Sequence, residues 1–398
     1  MSLNNTPSAN RTHIGIFGKR NAGKSSIINA ITGQNLAIVS DTKGTTTDPV
    51  LKAMELLPLG PVVLIDTPGL DDEGDLGKLR IEKAYQILNK TDIALLVVDS
   101  AAGMTSEDIR ILSRIREKKI PYLIAMNKCE LSSFRTVMEE EKDHTIFVSA
   151  HTKENIEELK ERLASLAPSE EFSTPIVKDL LSENDLVILV VPIDSSAPKG
   201  RLILPQQQTI RDVLDAGAYA LVVKDTELTN VLKTIGKKPR LVITDSQAFK
   251  KVSKDVPEEI QLTSFSILFA RHKGDLETVA GGASYIDSLK DGDTVLISEG
   301  CTHHRQCEDI GTVKLPRWLT EYTKKELHFE FTSGGEFPFD LSKYSLIIHC
   351  GGCTLNEREM KYRLRCAQDQ NIPITNYGTA IAHMNGILKR SLEPFHFE

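Results

Sequence analysis

The segment THIGIFGKRNAGKSSIINAIT, residues 12–32, constrains the fold more than any other part of the chain. An apolar run leads directly into a loop of the form G-x-x-x-x-G-K-S, from Gly18 to Ser25, and the loop opens a helical pattern. In such a loop the backbone N–H groups surround phosphate, Lys24 reaches the phosphate oxygens and the Ser25 hydroxyl binds Mg²⁺. We therefore predict a buried strand, a phosphate-binding loop and a helix whose N-terminus favours anions.

Residues 12–165 alternate apolar runs with stretches of helical periodicity. Continuous apolar runs are typical of strands in a parallel sheet that is covered by helices on both faces. The predicted strands are THIGIF (12–17), VVLID (62–66), IALLVVD (93–99), YLIAMN (122–127) and TIFVSA (145–150). We therefore predict an α/β fold with a doubly wound, mostly parallel sheet in residues 1–170.

Two smaller α/β domains are predicted after this sheet. The stretch APSEEFSTP, residues 167–175, is rich in Pro, Ser and acidic residues and predicts a linker. A weaker boundary near residues 254–261 divides the remainder into domains at 171–258 and 259–398. In the last domain the apolar runs are FSILFAR, DTVLISE, ELHFEFT and YSLIIH, which we interpret as strands, and NEREMKYRLRCAQDQ has helical periodicity.

Composition and charge exclude two classes of partner. The net charge is −7 without a basic stripe, whereas nucleic-acid binding depends on clustered Lys and Arg. No apolar run reaches the ~18 residues of a membrane span, and the first residues, MSLNNTPSANR, lack the apolar core of a signal peptide. We expect a cytoplasmic protein with no nucleic-acid or membrane partner, in which metal binding or catalysis is a more common role for the six cysteines than disulfide formation.

Four further motifs complete a nucleotide site. DTPG (66–69) offers an aspartate for Mg²⁺ and a glycine N–H for the γ-phosphate, and GTTTD (44–48) offers a threonine that senses both. NKCE (127–130) and VSA (148–150) follow strands and suit recognition of a base edge. The residues predicted to contact the nucleotide are Gly18, Asn21, Ala22, Gly23, Lys24, Ser25, Ser26, Thr45, Thr46, Asp66, Gly69, Asn127, Lys128, Glu130, Ser149 and Ala150.

This order of motifs resembles the translation-factor-like small GTPases, most closely the tRNA-modification (TrmE/MnmE) and Era-like branch, over residues 12–165. The resemblance implies a P-loop GTPase fold with GTP or GDP and Mg²⁺ as ligands. It further implies that Lys24, Thr46 and Gly69 act in hydrolysis, and that Ser25, Thr46 and Asp66 hold the Mg²⁺.

Three positions depart from common GTPase patterns. The base motif ends in Glu130 where aspartate is usual, which predicts looser guanine selectivity. Leu70 stands where Ras-like enzymes place the water-orienting glutamine, and Glu73 or Asp75 are weak substitutes for the switch glutamate of the TrmE branch. In that branch a potassium ion assists hydrolysis, and the resemblance implies Asn21 as its ligand. We therefore predict slow hydrolysis.

Three cysteines lie at the ends of two predicted strands. Cys301 follows DTVLISEG, and Cys350 and Cys353 follow YSLIIH in the sequence HCGGC. The carboxyl ends of parallel strands share one edge of a sheet, so these thiols are expected to meet. With His303 or His349 they suit a closed Cys₃His zinc site, or they suit a 4Fe-4S cluster with one exchangeable iron.

Other interpretations of the cysteines remain open at this point. A redox pair in HCGGC would leave Cys301 and both histidines unused, and tight structural loops would need no metal. Cys307 lies close enough in the chain to be a spare ligand, but packing is the more common role. Cys129 and Cys366 fall in apolar contexts and are interpreted as small buried side chains.

The cysteine spacing is similar to the C-x-H…H-C-x-x-C signature of the maturation GTPases of FeFe-hydrogenase, the HydF family. Here C-T-H at 301–303 and H-C-G-G-C at 349–353 are separated by 45 residues. The resemblance implies Cys301, Cys350 and Cys353 as ligands of a 4Fe-4S cluster. The fourth ligand is His303, His349, Asp340 or an exchangeable group.

The same resemblance implies a biological role. The chain would receive a transient di-iron precursor made with two radical-SAM maturases and deliver it to apo FeFe-hydrogenase, and it would form a homodimer through the middle domain. It has no C-x-x-x-C-x-x-C motif of its own for radical-SAM chemistry. The alternative is a GTPase with a structural zinc domain that serves RNA modification or ribosome assembly.

Overall fold

A computed structural model provides the coordinates of the 398-residue chain. The described residues are 10–33, 50–67, 87–131, 139–167, 174–193, 202–300, 310–334, 336–338, 340–352 and 354–395. The chain divides into two compact units, Met1–Phe172 and Ser173–Glu398. Within the described residues, no helix is both long and apolar enough to cross a membrane.

In the described part of the first unit, six strands form one sheet in the order β2-β3-β1-β4-β5-β6. Among these described strands, the β2–β3 pair is antiparallel and the other pairs are parallel. The strands are β1 (Thr12–Phe17), β2 (Val50–Leu56), β3 (Gly60–Asp66), β4 (Ile93–Asp99), β5 (Tyr122–Asn127) and β6 (Thr145–Phe147). The helices are α1 (Lys24–Thr32), α2 (Ser106–Glu117) and α3 (Ile156–Ser165).

Helices cover both faces of this sheet because successive strand residues point to opposite sides. Ile14 and Ile16 of β1 belong to a buried cluster with residues of α1 and α3. Phe17 of the same strand belongs to the other cluster, with residues of α2. The predicted doubly wound, mostly parallel sheet is therefore confirmed.

In the described part of the second unit, the strands form two parallel four-stranded sheets, in the orders β10-β9-β7-β8 and β12-β11-β13-β14. The strands are β7 (Leu186–Val190), β8 (Tyr219–Val223), β9 (Leu241–Thr244), β10 (Gln261–Ser264), β11 (Thr294–Ser298), β12 (His328–Thr332), β13 (Leu346–His349) and β14 (Ile374–Asn376). The helices are α4 (Leu204–Asp215), α5 (Leu228–Thr234), α6 (Phe249–Asp255), α7 (Phe265–Lys273), α8 (Leu276–Ala283), α9 (Leu315–Thr323), α10 (Glu357–Asp369), α11 (Tyr377–Met384) and α12 (Leu388–Leu392).

The two sheets of this unit share one buried core. Val242 of the second sheet and Ile347 of the third belong to the same cluster of buried side chains. Strand β10, which follows the predicted boundary at residue 258, pairs with β9 of the second sheet. Separating the sheets would expose this shared apolar surface to water, so the core joins them physically.

One predicted strand is a helix. The run FSILFAR forms most of α7, and the Ser264 side chain caps that helix by accepting a hydrogen bond from the Ile267 N–H. Leu268 and Phe269 pack on one buried cluster, and Ile267 packs on another. A short helix that is apolar on most sides because it is buried cannot be distinguished from a strand by its pattern alone.

Candidate functional site

The phosphate-binding loop runs from the end of β1 to the start of α1, as predicted from its sequence. Both of its glycines have backbone angles that favour glycine, with φ of +139° at Gly18 and +92° at Gly23. A Cβ atom at Gly18 would lie 2.2 Å from the Val97 carbonyl oxygen, and one at Gly23 would lie 2.2 Å from Asn127 Nδ2. The loop can therefore take this shape only with glycine at both positions.

The lysine of the loop points back into it. Lys24 is 8% exposed, and its Nζ donates hydrogen bonds to the carbonyl oxygens of Gly18 at 2.8 Å and Lys19 at 2.7 Å. An ammonium group carries three donors on a rotatable stem, so it can turn from these carbonyls to phosphate oxygens. The geometry suits a side chain that stabilises β- and γ-phosphate charge.

Two of the three predicted Mg²⁺ ligands, Ser25 at the start of α1 and Asp66 at the end of β3, lie together. Ser25 Oγ donates a hydrogen bond to Asp66 Oδ2 at 3.1 Å. The other oxygen, Asp66 Oδ1, is buried and has no hydrogen-bond partner among the described residues. Burial raises the pKa of the Asp66 carboxyl, although Lys24 and Ser25 oppose this effect. A divalent cation would supply the charge that a buried carboxylate needs, so these residues fit Mg²⁺.

A cavity of about 470 Å³ lies beside the loop and is lined in part by Asn127, Lys128, Glu130 and Ala150. Asn127 holds the surrounding loops together, since its Nδ2 donates to the Ala22 carbonyl at 3.0 Å and its Oδ1 accepts from the Ala150 N–H at 3.1 Å. The structure thus brings the two predicted base-recognition loops together with the phosphate-binding loop.

Sequence reasoning missed Asp99, which positions a side chain of this cavity, and two of the residues that line the cavity. Asp99, at the end of β4, accepts a hydrogen bond from Lys128 Nζ at 2.6 Å and so holds that side chain in place. Lys128 Nζ also donates to the Asn21 carbonyl at 2.7 Å, and His151 and Lys153 line the cavity. The available signal for Asp99 was a carboxylate at the carboxyl end of a predicted parallel strand.

Glu130 stands where the base-recognition motif usually has aspartate. A hydrogen bond from the Ser149 side chain holds the pKa of Glu130 below its usual range. The side chain is therefore a carboxylate at neutral pH and can accept hydrogen bonds from the N–H groups of a guanine edge. Its extra methylene group makes that bidentate contact harder to align.

We expect Glu130→Asp to raise discrimination for GTP over ATP by about tenfold, because a well-aligned bidentate base contact is worth ~1–3 kcal/mol. The measurement is the ratio of kcat/KM for the two nucleotides. Glu130→Gln serves as the reverse control, since it loses the carboxylate, and should lower the ratio. An unchanged or lower ratio in the aspartate variant would show that Glu130 does not contact the base.

The carboxyl ends of β11 and β13 form the candidate cysteine site. Ser298 pairs with His349 in the parallel register, and the Cys350 N–H donates to the Ser298 carbonyl at 2.9 Å. Cys350 Sγ accepts hydrogen bonds from the Gly300 N–H at 3.0 Å and the Gly352 N–H at 3.4 Å. Two N–H donors on one sulfur stabilise a thiolate, the form that binds metal.

One described neighbour of each of the other two cysteines takes part in a contact at this site. Thr354 Oγ1 donates to the Gly300 carbonyl at 2.8 Å, so the residue after Cys353 contacts the residue before Cys301. With the Gly300–Cys350 contact, the described neighbours of Cys301 and Cys353 meet beside Cys350 at the carboxyl ends of β11 and β13. The donor chemistry and the strand ends fit a thiolate-held cluster.

Several predicted residues lie outside the described residues. They are Thr45, Thr46, Gly69, Leu70, Glu73, Asp75, Cys301, His303, Cys307 and Cys353. Among the residues that are described, no group of three or more His, Cys, Asp or Glu side chains is placed to hold a metal ion. Cys301 and Cys353, two of the three predicted cysteine ligands, are not among the described residues.

Both ring nitrogens of His349 have partners. Nε2 accepts from Arg363 Nη1 at 3.0 Å, so the proton lies on Nδ1, which donates to the Cys350 carbonyl at 2.7 Å. Burial, with help from the Arg363 charge, lowers the pKa of His349 to about 3. The imidazole is neutral, and its Nδ1–H supports the backbone of the cysteine loop.

Asp340 lies far from the cysteine loop. Its carboxylate accepts hydrogen bonds from the Ser342 N–H at 2.9 Å and Oγ at 2.6 Å. The adjacent Leu341 N–H donates to Gln370 Oε1 at 2.8 Å, at the carboxyl end of α10. Since this 13-residue helix is about 20 Å long and begins beside the cysteine loop, the structure does not bring Asp340 to the cluster site.

Sequence reasoning also missed Arg363 and Lys273. Arg363 is 0% exposed and Lys273 is 3% exposed. The available signal for Arg363 was its place on the apolar stripe of α10, three residues after Met360 and four before Ala367, with Glu359 four residues earlier. A charged pair at that spacing on the buried face predicts an internal ion pair.

Three family models match the chain. The hydrogen maturase F dimerization domain matches residues 176–274, and the hydrogen maturase F tetramerization domain matches 277–394. A model described as a 50S ribosome-binding GTPase matches residues 13–128. The two maturase models together span more than half of the chain. This chain belongs to the hydrogen maturase F family.

Curated relatives of this hydrogen maturase F chain match it over a shorter length. The tRNA modification GTPase MnmE of Chromobacterium violaceum is 37% identical over 156 residues, which are 39% of this chain and 34% of that protein. The MnmE of Nitrosomonas europaea is 39% identical over 154 residues, 38% of this chain and 34% of that protein. The chain thus spans about a third of the length of these relatives. Both predicted resemblances, to TrmE-like GTPases and to HydF, are confirmed.

Solved structures also resemble this member of the hydrogen maturase F family. A variant of Aquifex aeolicus Era bound to GDP and AlF₄⁻ is 22% identical, covers 53% of this chain and 92% of its own, and has a TM-score of 0.36. A probable GTP-binding protein engB is 24% identical, covers 39% of this chain and 98% of its own, and has a TM-score of 0.33.

Proposed function

We propose that this chain is a GTP-binding and slowly GTP-hydrolysing scaffold that holds a 4Fe-4S cluster and delivers a di-iron precursor to apo FeFe-hydrogenase. The observation that carries the proposal is the match of the two maturase models to residues 176–274 and 277–394. The contacts of Gly300 with Cys350 Sγ and with Thr354 Oγ1 support it. Radical-SAM maturases are the proposed source of the precursor, which is cargo and not a resident group.

In the proposed nucleotide site, Ser25, Thr46 and Asp66 hold Mg²⁺, and Lys24 and the Gly69 N–H stabilise the γ-phosphate during hydrolysis. Leu70 cannot orient water, which is the reason for slow turnover. A potassium ion at the Asn21 side chain would supply part of the missing charge. GTP hydrolysis is proposed to time the handover of the precursor, through the ordering of the segments that sense the γ-phosphate.

In the proposed cluster site, Cys301, Cys350 and Cys353 are the protein ligands. The 4Fe-4S cluster supplies an iron that the protein does not saturate, to which cargo can attach. The chain's own part is to hold the thiolates at the ends of β11 and β13, with Gly300 and Gly352 N–H groups on Cys350 Sγ and the neutral His349 ring on its carbonyl.

A homodimer is proposed to form through the second sheet. Its edge strand β8 exposes Tyr219 by 53% and Val222 by 41%, and unpaired strand edges are sites of association. The dimerization model covers this strand. The proposed domains are 1–170 for GTP, 171–258 for dimerisation and 259–398 for the cluster, although β10 belongs to the middle sheet.

Metal analysis of the full chain purified without oxygen tests the proposed function. We expect a brown protein with about four iron atoms per chain and a thiolate-to-iron absorbance band, together with measurable GTP hydrolysis. A colourless protein with about one zinc atom per chain would instead support the GTPase with a structural zinc domain. A protein that contains iron but lacks the thiolate-to-iron absorbance band would show that the iron is bound adventitiously, which would contradict the proposed cluster.

A further inference from the structure

Two buried cations from different helices lie against the cysteine loop. Lys273, at the end of α7, is 3% exposed. Its Nζ donates to the Leu355 carbonyl at 3.0 Å and lies 3.5 Å from the Gly352 carbonyl. Gly352 precedes Cys353 in the chain and Leu355 follows it. The ammonium group therefore contacts the loop that carries a predicted ligand.

The second cation, Arg363, holds the other side of the loop. Nη1 donates to His349 Nε2 at 3.0 Å and to Ser298 Oγ at 3.2 Å, and Nη2 donates to the Gly334 carbonyl at 2.7 Å. Its charge is balanced by Glu359, whose Oε1 lies 2.9 Å away. Arg363 is therefore part of an internal ion pair that fixes the end of β13.

The position of Lys273 has an electrostatic consequence. Removing an ammonium group from water is costly unless negative charge or strong acceptors compensate it. Thiolate ligands give an iron–sulfur cluster a net negative charge, and charge and hydrogen bonds around the cluster set its reduction potential. A cation buried under the Gly352–Leu355 segment would act on that charge through protein, where screening by salt is weak.

We propose that Lys273 is the charge-compensating residue of the cluster site, and that its ammonium group stabilises the reduced form of the cluster. The inference rests on the proposed function, since it requires a cluster at Cys350 and its partner cysteines. In the redox titration that tests this proposal, dithionite gives one electron to the cluster, and the cysteine ligands stay bound. The added negative charge is what Lys273 stabilises.

Lys273→Met tests the proposal because methionine keeps the length and the apolar stem but removes the charge. At a fixed ambient potential we expect the ratio of reduced to oxidised cluster to fall at least tenfold, a change of about 59 mV for a one-electron couple. Lys273→Arg, which keeps the charge, should stay within twofold of the unmodified protein. The measurement is an EPR-monitored redox titration of the full chain, with iron content determined on each sample.

Lys361→Met is the matched control. Lys361 lies on α10, two residues before Arg363, but its side chain is 48% exposed and pairs with Glu357. The substitution removes the same charge from a solvated position, so the ratio of reduced to oxidised cluster should not change. An equal shift in this variant would mean that total charge, and not burial at the loop, determines the effect.

Each remaining outcome decides the proposal. Full iron content with an unchanged potential in Lys273→Met would overturn it. If methionine and Lys273→Gln both lose the cluster while arginine keeps it, and GTP hydrolysis is unaffected, the charge is needed to retain the cluster and the proposal stands. If arginine also loses the cluster, Lys273 acts by shape alone and the proposal is wrong. An unmodified protein without iron would instead refute the proposed function.

Discussion

Cys350→Ser is expected to reduce bound iron from about four atoms per chain to near zero and to abolish the brown colour. The Cys350 sulfur accepts N–H groups from Gly300 and Gly352 at the edge where the predicted ligands meet. A serine hydroxyl does not deprotonate at neutral pH and is a poor ligand for iron in such a cluster, so the site would keep too few thiolates. Iron and sulfide analysis with absorbance spectroscopy measures the loss.

The rate of GTP hydrolysis by the same variant should be within about twofold of that of the unmodified protein, because the phosphate-binding loop belongs to the other compact unit. Cys366→Ser is the matched control, since Cys366 is a half-buried cysteine of α10 that packs against the core. It should keep its iron. Equal iron loss in both variants would indicate general destabilisation, and retention of iron by Cys350→Ser would remove Cys350 from the ligand set.

Lys24→Ala is expected to lower kcat/KM for GTP by at least ~10²-fold, the loss typical of removing one preorganised group that stabilises developing charge. The buried Nζ already lies inside the loop, on the Gly18 and Lys19 carbonyls. Alanine removes the only function that the side chain can supply there, a positive charge with N–H donors. Steady-state phosphate release and nucleotide affinity measure the effect.

Lys19→Ala provides the control within the same loop. The Lys19 side chain is 31% exposed and forms a surface ion pair with Glu107 at 3.2 Å, whereas its carbonyl, which Lys24 contacts, is unchanged by the substitution. Loss of a surface pair costs little, so activity should stay within about threefold. Iron content should be normal in both variants. Comparable losses of activity in the two would contradict the role of Lys24.

Some loops and strands could be predicted because their conformation depends on residues that are close together in the sequence. The phosphate-binding loop requires glycine at Gly18 and Gly23 for reasons of backbone angle and space, so its sequence specifies its shape. The buried strands of the first sheet are continuous apolar runs because both faces are covered. By contrast, β2 was not predicted, because it is an edge strand with much of its length exposed and carries no continuous apolar run.

Other elements depended on distant parts of the chain. FSILFAR is a helix because it packs between two clusters of the second unit, and the pattern of a short buried segment does not distinguish helix from strand. Strand β10 joins the middle sheet because it pairs with β9, although it follows the predicted boundary. Asp340 and His349 both looked like metal ligands in the sequence, yet their positions differ by about the length of α10.

The amino-acid sequence by itself determined the phosphate-binding loop, the doubly wound sheet and the family, because each follows from short motifs whose backbone requirements are local. Only the tertiary structure decided that His349 is a neutral support for Cys350 and that Lys273 and Arg363 lie buried beside the cysteine loop. The physical reason is that these side chains are buried through contacts with residues 14 and 82 positions away in the chain, which only the folded core brings together.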